Sequence, residues 1–378
     1  MINVFEPSVG IEDSNRVSDV LESKWIGAGP HVKAFREELS VEFGVEKDRV
    51  LLTNSCSAGL MVLPYLFDLK AGDSVIMPTI SFPSLANSFK RLDITIKFCD
   101  VDKRTGNVTL DCFRDLVDAT TKAIIVTHYG GTPVELEEIK VFASSRNIYV
   151  IEDTACAIKS FDSQGRRVGT YSDCAIWSFD AMKTLTCGDG GMMILRDQAL
   201  RDKASELLYL GLPASDKSGL DKSGSGDSMW WEYDILRPGS RDIMNDILAA
   251  IGREQLSKLD QYIERRKKIA TFYCEELGSI KEVKVLSQEL NDSDVSHYFF
   301  TIETAKRNEL ARFLKDNNVY TTFRYWPLHK TTLYKDVDSK FPNAEYMAAN
   351  CLNLPIHQNL SDANISLVVQ LIKSFFEE

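Results

Sequence analysis

Lys183 is the residue of this sequence whose surroundings point most directly to chemistry. It follows an apolar run from Cys174 to Ser178 and precedes a glycine-rich bend and a second apolar run that ends at Leu195. Such runs predict two short buried strands, and an ammonium among buried residues must be paired or lose its proton. A lysine that is reachable and partly deprotonated is suited to forming a Schiff base with a carbonyl compound. The alternative is a surface lysine in a hairpin turn, which this stretch alone does not exclude.

Two carboxylates, Glu152 and Asp153, follow another apolar run. The run begins at Tyr149 and predicts a buried strand that ends in the two acids. A carboxylate at the end of a buried strand needs a partner, and a protonated pyridine nitrogen is a suitable one. A capping or salt-bridged acid is the alternative that stays open for both residues.

Two further segments also come directly after predicted strands. Thr53 to Gly59 places small hydroxyl residues at a helix start, where backbone N–H groups and the helix dipole favour a phosphate. Ser57 as a plain helix N-cap is the compatible alternative. Phe82 follows Pro78 to Ser81. Its side chain is expected either to lie flat against a planar ring or to pack in the hydrophobic core.

The elements that must position these residues alternate between short apolar runs and amphipathic stretches. The apolar runs are Val50 to Thr53, Ser74 to Met77, Ile94 to Phe98, Ala123 to Thr127 and Ile148 to Ile151. The amphipathic stretches are Ala58 to Phe67, Ser84 to Leu92, Leu110 to Val117 and Leu136 to Ser145. This alternation predicts an α/β fold with a doubly wound, mostly parallel sheet and helices on both faces. Ligands of such sheets bind beyond the carboxyl ends of the strands.

The chain is predicted to form two domains, a large one over residues 1–245 with an N-terminal arm and a small α+β one over residues 246–378. Helical spacing from Glu12 to Phe43 is interrupted by the loop Trp25 to Pro30. The small domain is expected to contain strands at Val295 to Ile302 and Val319 to Arg324. The segment from Ala214 to Ser228 is polar and glycine-rich, which indicates a surface loop. Helices are also expected at Gln198 to Leu208, Asn245 to Leu259, Gln261 to Leu277, Asn308 to Lys315, Ala344 to Asn350 and Asp362 to Phe376.

Composition narrows the class of protein. A net charge of -11 argues against nucleic acid or an anionic membrane as the main partner. The 8 cysteines are scattered without a CxxC pair, so reduced thiols are expected rather than disulfides or a metal site. The N-terminal residues lack the pattern of a signal peptide, and no apolar run approaches membrane-spanning length. A cytoplasmic protein is therefore expected.

Taken in order along the chain, these segments resemble the nucleotide-sugar aminotransferases of the DegT/StrS family, which depend on pyridoxal 5'-phosphate (PLP). The resemblance covers nearly the whole chain and implies the fold-type-I architecture of aspartate aminotransferase. The matching segments are Trp25 to Pro30, Asn54 to Ala58 (N-S-G-T-A in the family), Pro78 to Phe82 (P-x-x-[ST]-F), Glu152 and Asp153 (E-D), Ser178 through Lys183 to Gly191 (S-F-x-x-x-K…G-E-G-G), Pro238 to Asp246, Ala249 to Gly252 and Arg324 to His329.

The resemblance implies a role for each matching residue. Lys183 would hold the cofactor as a Schiff base and then move a proton as a general base, while Asp153 would pair with the pyridine N–H. The implied cofactor-binding residues are Cys56, Ser57, Ala58, Phe82, Asp153, Cys156, Ser178, Lys183 and Arg241. Arg241 would reach the phosphate in the other subunit, which implies a homodimer with shared active sites. Candidate substrate contacts are Trp25, Arg324, Tyr325 and His329.

Three residues depart from the family pattern. Cys56 replaces a glycine, Asp189 replaces a glutamate, and Cys156 replaces a histidine or glutamine beside the 3-oxygen of the ring. A longer side chain at position 56 would crowd the phosphate loop, and a thiol at position 156 is a poorer hydrogen-bond donor. The dehydratase branch of the family carries histidine where this chain carries Lys183, so transamination is expected.

The expected reaction moves the amino group of L-glutamate to a 4-keto-6-deoxy nucleotide sugar and gives a 4-amino sugar and 2-oxoglutarate. Amination of a cyclitol or of a C3-keto sugar stays open, and so does a PLP-binding regulator without turnover. A PLP lyase or cysteine desulfurase is disfavoured, because the cysteines show no pattern of an exposed catalytic loop.

Overall fold

The structure is a computed structural model that describes residues 1–214, 229, 231–286, 295–335 and 339–377. Two helices open the chain, α1 (Ile11–Ser23) and α2 (Pro30–Phe43). Lys24 in the left-handed conformation ends α1, and Pro30 begins α2, because its fixed backbone angle suits a first helical turn. The predicted helix–loop–helix arrangement is confirmed.

Seven strands form the large sheet in the described part of the chain. They are β1 (Val50–Thr53), β2 (Ser74–Pro78), β3 (Thr95–Cys99), β4 (Thr121–Thr127), β5 (Tyr149–Asp153), β6 (Cys174–Ser178) and β7 (Gly191–Leu195), in the spatial order β1-β7-β6-β5-β4-β2-β3. The pairs from β6 to β3 are parallel, whereas β7 runs antiparallel to both β1 and β6. The predicted doubly wound, mostly parallel sheet is therefore confirmed.

Helices cover both faces of this sheet. They are α3 (Cys56–Met61), α4 (Leu63–Leu66), α5 (Pro83–Lys90), α6 (Asp111–Arg114), α7 (Glu137–Ser144) and α8 (Gln198–Leu208). Neighbouring residues of β4 pack into different apolar clusters, with Ile124 in one and Ile125 in the other. Burial of both faces explains why the strands read as continuous apolar runs.

The remaining elements include a second, antiparallel sheet of β8 (Lys284–Val285), β9 (Phe300–Glu303) and β10 (Cys351–Leu354), in the order β10-β9-β8. The helices of this part are α9 (Asp246–Ser257), α10 (Leu259–Leu277), α11 (Arg307–Asp316), α12 (Pro342–Asn350) and α13 (Asp362–Glu377). These positions confirm the predicted mixture of strands and helices. The domain boundary at residue 245 stays a prediction.

The strand predicted at Val319 to Arg324 is wrong. Val319 and Thr322 form only isolated bridges, to Ile2 and Asn353 respectively. The segment looks like a strand because Val319 packs into the core around α10 and α13. The backbone hydrogen bonds of the segment, however, go to two different neighbouring segments and do not form one continuous ladder. The predicted strand at Val295 to Ile302 is confirmed only from Phe300 onward.

The predicted loop at residues 214–228 lies, apart from Ala214, outside the described residues. Within the described ranges, no helix combines the length and apolar character needed to cross a membrane. The cytoplasmic location stays a prediction.

Candidate active site

The loop between β6 and β7 buries Lys183 at the edge of the sheet where the parallel strands end. Hydrogen bonds from Phe179 N to Gly190 O (2.9 Å) and from Cys187 N to Phe179 O (2.8 Å) fold this loop back on itself. Lys183 N donates to Asp180 O at 2.9 Å, and the Lys183 side chain is only 8% exposed. The alternative of a surface lysine is therefore wrong.

The amine of Lys183 lies among a thiol and two aromatic side chains. Lys183 Nζ donates to Cys156 Sγ at 3.7 Å and lies 4.5 Å from the centroid of the Tyr298 ring. Cys156 Sγ lies 4.0 Å from Tyr325 Oη, and the ring of Tyr325 meets Phe82 edge-on at 5.6 Å. The structure thus brings together four of the predicted residues, Lys183, Cys156, Tyr325 and Phe82.

Burial and charge act in opposite directions on Lys183. Burial lowers the pKa of its ammonium, whereas the anionic forms of Cys156, Tyr298 and Tyr325 raise it, and the pKa lies well above its ordinary value. Burial also raises the pKa of Cys156, Tyr298 and Tyr325, so these groups form anions only in alkaline solution.

Asp153 ends β5 and is the acid of this site. Its side chain is 6% exposed, and Asp153 Oδ1 accepts a hydrogen bond from Ala155 N at 3.1 Å. Burial raises the pKa of Asp153, and the hydrogen bond from Ala155 N and the positive charge of Lys183 oppose this effect. A protonated pyridine nitrogen would supply the nearby positive charge that a buried carboxylate needs. Asp153 therefore fits the ring of PLP.

Glu152 serves a different purpose, although it adjoins Asp153 in the sequence. His128 Nε2 donates to Glu152 Oε2 at 2.8 Å, and Gly169 N donates to the same oxygen at 2.9 Å. Val134 N donates to His128 Nδ1 at 3.0 Å, which assigns the ring proton to Nε2. The pair is fully buried and ties β4 to β5. For Glu152 the alternative of a paired structural acid is thus confirmed.

The predicted phosphate loop joins β1 to α3. Ser55, and not Ser57, is the N-cap of α3, because Ser55 Oγ accepts from Ala58 N at 3.1 Å. Ser57 Oγ donates to Ser84 Oγ at 2.9 Å, and would exchange this bond for one to a phosphate. Burial, followed by the charge of Asp153, raises the pKa of Cys56, so its thiol stays neutral and does not repel an anion. Ser178 Oγ accepts from Asp180 N at 3.4 Å in the loop of Lys183.

Gly191 allows β7 to approach this loop closely. It pairs with Thr53, and a Cβ atom at position 191 would lie 2.7 Å from Thr53 Oγ1 and 2.8 Å from Cys56 N. We expect Gly191→Ala to displace the loop, to lower the free energy of unfolding by about 1–3 kcal/mol and to weaken PLP binding. Urea unfolding and a titration of the cofactor-free protein with PLP measure these effects. Gly27→Ala is the control, because a Cβ atom at position 27 would meet no described atom within 4 Å beyond its chain neighbours. A wild-type affinity for PLP in Gly191→Ala would contradict the expectation.

Phe82 stands at the N-cap position of α5 and is 49% exposed. The core alternative for this residue is therefore wrong, and its ring is available to a planar ligand. Because Phe82 contacts Tyr325, which in turn approaches Cys156, the ring lies at the same site as Lys183.

His329 is held away from open space by its own partners. Its Nδ1 lies 2.7 Å from Thr79 Oγ1, its Nε2 lies 3.2 Å from Glu345 Oε1, and the side chain is 4% exposed. Burial lowers the pKa of His329. In this arrangement His329 joins the Pro78 to Phe82 segment to α12 and has no ring nitrogen left for a substrate.

The other predicted residues lie at the surface or against the N-terminal segment. Trp25 is 52% exposed and donates from Nε1 to Ala28 O at 3.1 Å. Arg324 lies with its guanidinium carbon 4.6 Å from the centroid of Phe5. Arg241 is exposed, and its guanidinium carbon lies 5.8 Å from the centroid of the Tyr209 ring. The next residue, Asp242, accepts a hydrogen bond at its backbone oxygen from Asn54 N (2.8 Å), which places Arg241 next to the phosphate loop.

Tyr298 was missed by the sequence reasoning. It is 1% exposed and faces Lys183, but it stands in the apolar segment from Val295 to Ile302, where an aromatic residue indicates core. No spacing pattern in the sequence separates it from its neighbours Phe299 and Phe300.

Comparisons with known proteins agree with this geometry. The sequence model of one protein family, the DegT/DnrJ/EryC1/StrS aminotransferase family, matches residues 7–373. A protein of Saccharopolyspora spinosa named dTDP-4-dehydro-2,3,6-trideoxy-D-glucose 4-aminotransferase is 40% identical over 371 residues, which cover 97% of this chain and 95% of that protein. GDP-perosamine synthase of Escherichia coli O157:H7 is 28% identical over 378 residues, covering 100% and 99% of the two chains.

The same likeness holds in three dimensions. The crystal structure of the aminotransferase TlmJ from Streptoalloteichus hindustanus superimposes with a TM-score of 0.91 at 36% identity, covering 99% of this chain and 98% of that one. This confirms the fold-type-I architecture implied by the sequence.

Proposed function

The chain belongs to the DegT/DnrJ/EryC1/StrS aminotransferase family, and we propose that it transfers the amino group of L-glutamate to C4 of a 4-keto-6-deoxy nucleotide sugar. The products would be a 4-amino-4,6-dideoxy nucleotide sugar and 2-oxoglutarate. PLP is the cofactor of this aminotransferase family. The choice of C4 is supported by the Saccharopolyspora spinosa relative, whose name places its amination at C4 of a dTDP-linked keto sugar.

The observation that carries the proposal is the enclosure of Lys183 beside Asp153. A buried amine 3.7 Å from the thiol of Cys156, at the strand end that also presents a buried carboxylate, is the arrangement that PLP chemistry uses. When bound, PLP supplies an electron sink for the electrons of the bond broken at Cα of the amino donor.

The residues of the chain divide the remaining tasks. Lys183 Nζ would anchor the cofactor and would also carry the proton between Cα of the amino donor and the cofactor. Asp153 would maintain the positive charge at the ring nitrogen, and the half-exposed ring of Phe82 would be available to stack on the cofactor ring. The phosphate would be held by Ser57, Ser178 and the amide of Cys56, whereas the amide of Ala58 already donates to Ser55 Oγ. The thiol of Cys156, which contacts Lys183 Nζ, would be available to the 3-oxygen of the ring.

We place both half-reactions at this one site in a ping-pong sequence. Lys183 would be the proton carrier of both half-reactions, and the bound cofactor would keep the amino group after 2-oxoglutarate has left and until the keto sugar binds. The substrate contacts proposed for Trp25, Arg324 and Tyr325 serve this second half-reaction, whereas the bonds of His329 to Thr79 and Glu345 do not favour such a role.

A homodimer with shared sites is part of the proposal. Arg241 and Trp25 are exposed in the single chain, and Arg241 lies beside the phosphate loop. A guanidinium there would reach the phosphate of the partner's cofactor as a bidentate donor. The cofactor would then be held by residues of both copies.

A panel of nucleotide sugars tests the substrate. We expect the holoenzyme with L-glutamate to aminate a 4-keto-6-deoxy nucleotide sugar, with mass spectrometry giving the product and NMR giving the aminated carbon. The panel contains dTDP-, UDP- and GDP-linked 4-keto sugars, C3-keto sugars and a cyclitol ketone.

The outcomes of this panel separate the alternatives. Amination at C3 or of the cyclitol would replace the proposed substrate while retaining the aminotransferase. If bound PLP accepted no amino group from glutamate, another amino donor would be required, and if no donor reacted, a PLP-binding regulator would become the better account.

A further inference from the structure

Lys183 stands at one end of a stack whose two rings, Tyr298 and Phe5, have no part in the proposed chemistry. Its Nζ lies 4.5 Å from the Tyr298 ring centroid, and Tyr298 stacks on Phe5 at 5.0 Å with an interplanar angle of 13°. The guanidinium carbon of Arg324 lies 4.6 Å from the Phe5 centroid. Tyr298 and Phe5 are 1% and 7% exposed, so the stack is shielded from water.

Hydrogen bonds fix the backbone beneath Tyr298. Tyr298 N and Phe299 N both donate to Gly130 O, at 2.9 and 3.2 Å. Two residues before Tyr298, Ser296 N donates to Ser160 Oγ at 3.0 Å. Tyr298 is thereby attached to the loops that follow β4 and β5, which are the strands that position the acid of the site.

The N-terminal segment stacks Phe5 on the Tyr298 ring. Ile356 N donates to Val4 O at 3.2 Å, and Asn359 Nδ2 donates to Pro7 O at 2.8 Å. Ile2 also bridges to Val319. Because the segment is bonded on both sides of Phe5, this ring limits the freedom of Tyr298 to rotate away from Lys183.

The hydroxyl of Tyr298 is not what holds this arrangement. Tyr298 Oη is buried and has no hydrogen-bond partner among the described residues. A buried hydroxyl without a partner opposes folding, so the stacked ring accounts for the position of the side chain. The ring face, which carries negative electrostatic potential, is the part presented to the amine.

We propose that Tyr298 is a positioning residue for Lys183, and that its ring face, supported by Phe5, holds the amine at the strand end beside Asp153. The inference rests on the role proposed for Lys183, but the contact belongs to the chain itself and is present without cofactor. The ring would keep the amine in place whenever Lys183 is not bonded to the cofactor.

Removing the ring should make the ammonium less favourable. The ring stabilises the charged form of Lys183, whereas burial destabilises it. Loss of the ring therefore leaves the effect of burial less opposed and lowers the pKa of Lys183. The other groups that face Lys183 are Asp153, Cys156, Cys56 and Tyr325. Arg266 and Arg324 face Tyr298 from the C-terminal part of the chain and stay in place when Tyr298 is changed.

The test is an NMR titration of Lys183 in cofactor-free protein labelled with 13C at the lysine ε carbon, with the signal assigned by Lys183→Arg. We expect Tyr298→Leu to move the midpoint to lower pH by about one pH unit, as for loss of a desolvated cation–aromatic contact. Tyr298→Phe should give a smaller shift than Tyr298→Leu, because it retains the ring and loses only the charge of the phenolate. Phe5→Leu should give a smaller shift in the same direction.

Tyr273→Leu is the matched control for losing a buried tyrosine. Tyr273 packs on Phe300 at 5.0 Å, inside the apolar cluster around β9 and away from Lys183. Its replacement should lower the thermal stability and leave the Lys183 midpoint unchanged.

An unchanged midpoint in Tyr298→Leu would overturn the proposal, and so would an equal shift in Tyr298→Phe, which would assign the effect to the hydroxyl. If Tyr298→Leu does not fold, Phe5→Leu decides, and a wild-type midpoint in that variant rejects the supported stack. These results do not depend on activity, so they stand apart from any failure of the proposed sugar substrate.

Discussion

Lys183→Arg should lose transamination by a factor of at least about 10⁴. Arginine keeps the positive charge and much of the length of lysine, but a guanidinium stays protonated and forms no Schiff base under these conditions. The variant therefore lacks both the covalent anchor and the proton carrier. The measurements are glutamate-dependent formation of 2-oxoglutarate and the visible absorbance of lysine-bound PLP, which should disappear.

Lys140→Arg is the matched control for this substitution. Lys140 is ion-paired with Asp173 at 3.0 Å, at the other end of β6, and arginine can keep this pair. Near-normal activity in Lys140→Arg together with its loss in Lys183→Arg would locate the chemistry. Substantial turnover by Lys183→Arg would remove the central residue of the proposed site.

Asp153→Asn should lower kcat/KM by about 10³, the scale seen when one preorganised electrostatic contact is removed from an active site. Asparagine has almost the same shape but carries no charge, so the ring nitrogen of PLP would no longer be held in its protonated form. The same substitution should leave the stability of the cofactor-free protein unchanged or raise it, because burial raises the pKa of Asp153 in the folded chain.

The sign of that stability effect follows from proton linkage. A carboxyl group whose pKa is raised by folding stabilises the folded state below its unfolded pKa, about 3.9 for Asp, and loses that contribution as the pH rises through the folded value. Asp153→Asn should therefore flatten the decline in the free energy of unfolding as the pH rises above about 4. Urea unfolding of the cofactor-free protein at a series of pH values measures this change.

Asp173→Asn provides the contrast within the same sheet. Asp173 is also buried, but it pairs with Lys140 at 3.0 Å and with Arg196 at 2.8 Å. Its replacement leaves Lys140 without this partner and Arg196 with Asp197 alone, and should lower stability with little effect on the chemical step. If Asp153→Asn instead lost stability and kept its activity, Asp153 would be a structural acid and the cofactor assignment would fail.

The alternation of strands and helices along the chain of the large sheet could be predicted from the sequence for a physical reason. Parallel strands buried on both faces must be apolar throughout, so β2, β4, β5 and β6 appear as short uninterrupted runs between amphipathic helices. The same rule locates Asp153 and Lys183, because residues directly after parallel strands gather at one edge of the sheet. The sequence thus determined the fold class, and it predicted the acid and the amine of the site.

The tertiary structure decided what the two adjacent acids do and how the lysine is surrounded. Alternation along β5 sends Glu152 to His128 and Asp153 to the site, whereas the sequence alone left a paired or capping role open for both acids. Val319 to Arg324 has the composition of a strand, but its partners Ile2 and Asn353 lie on different segments, which no local pattern reveals.

The stack on Lys183 was beyond the reach of local patterns for the same reason. Phe5, Tyr298 and Lys183 are far apart in the chain, and each stands in a segment whose apolar character indicates only burial. What the sequence by itself determined was the set of elements and the chemical groups at their ends, because these follow from local periodicity. Only the packing of distant segments decided which side chains meet at the amine, because such contacts depend on the whole fold.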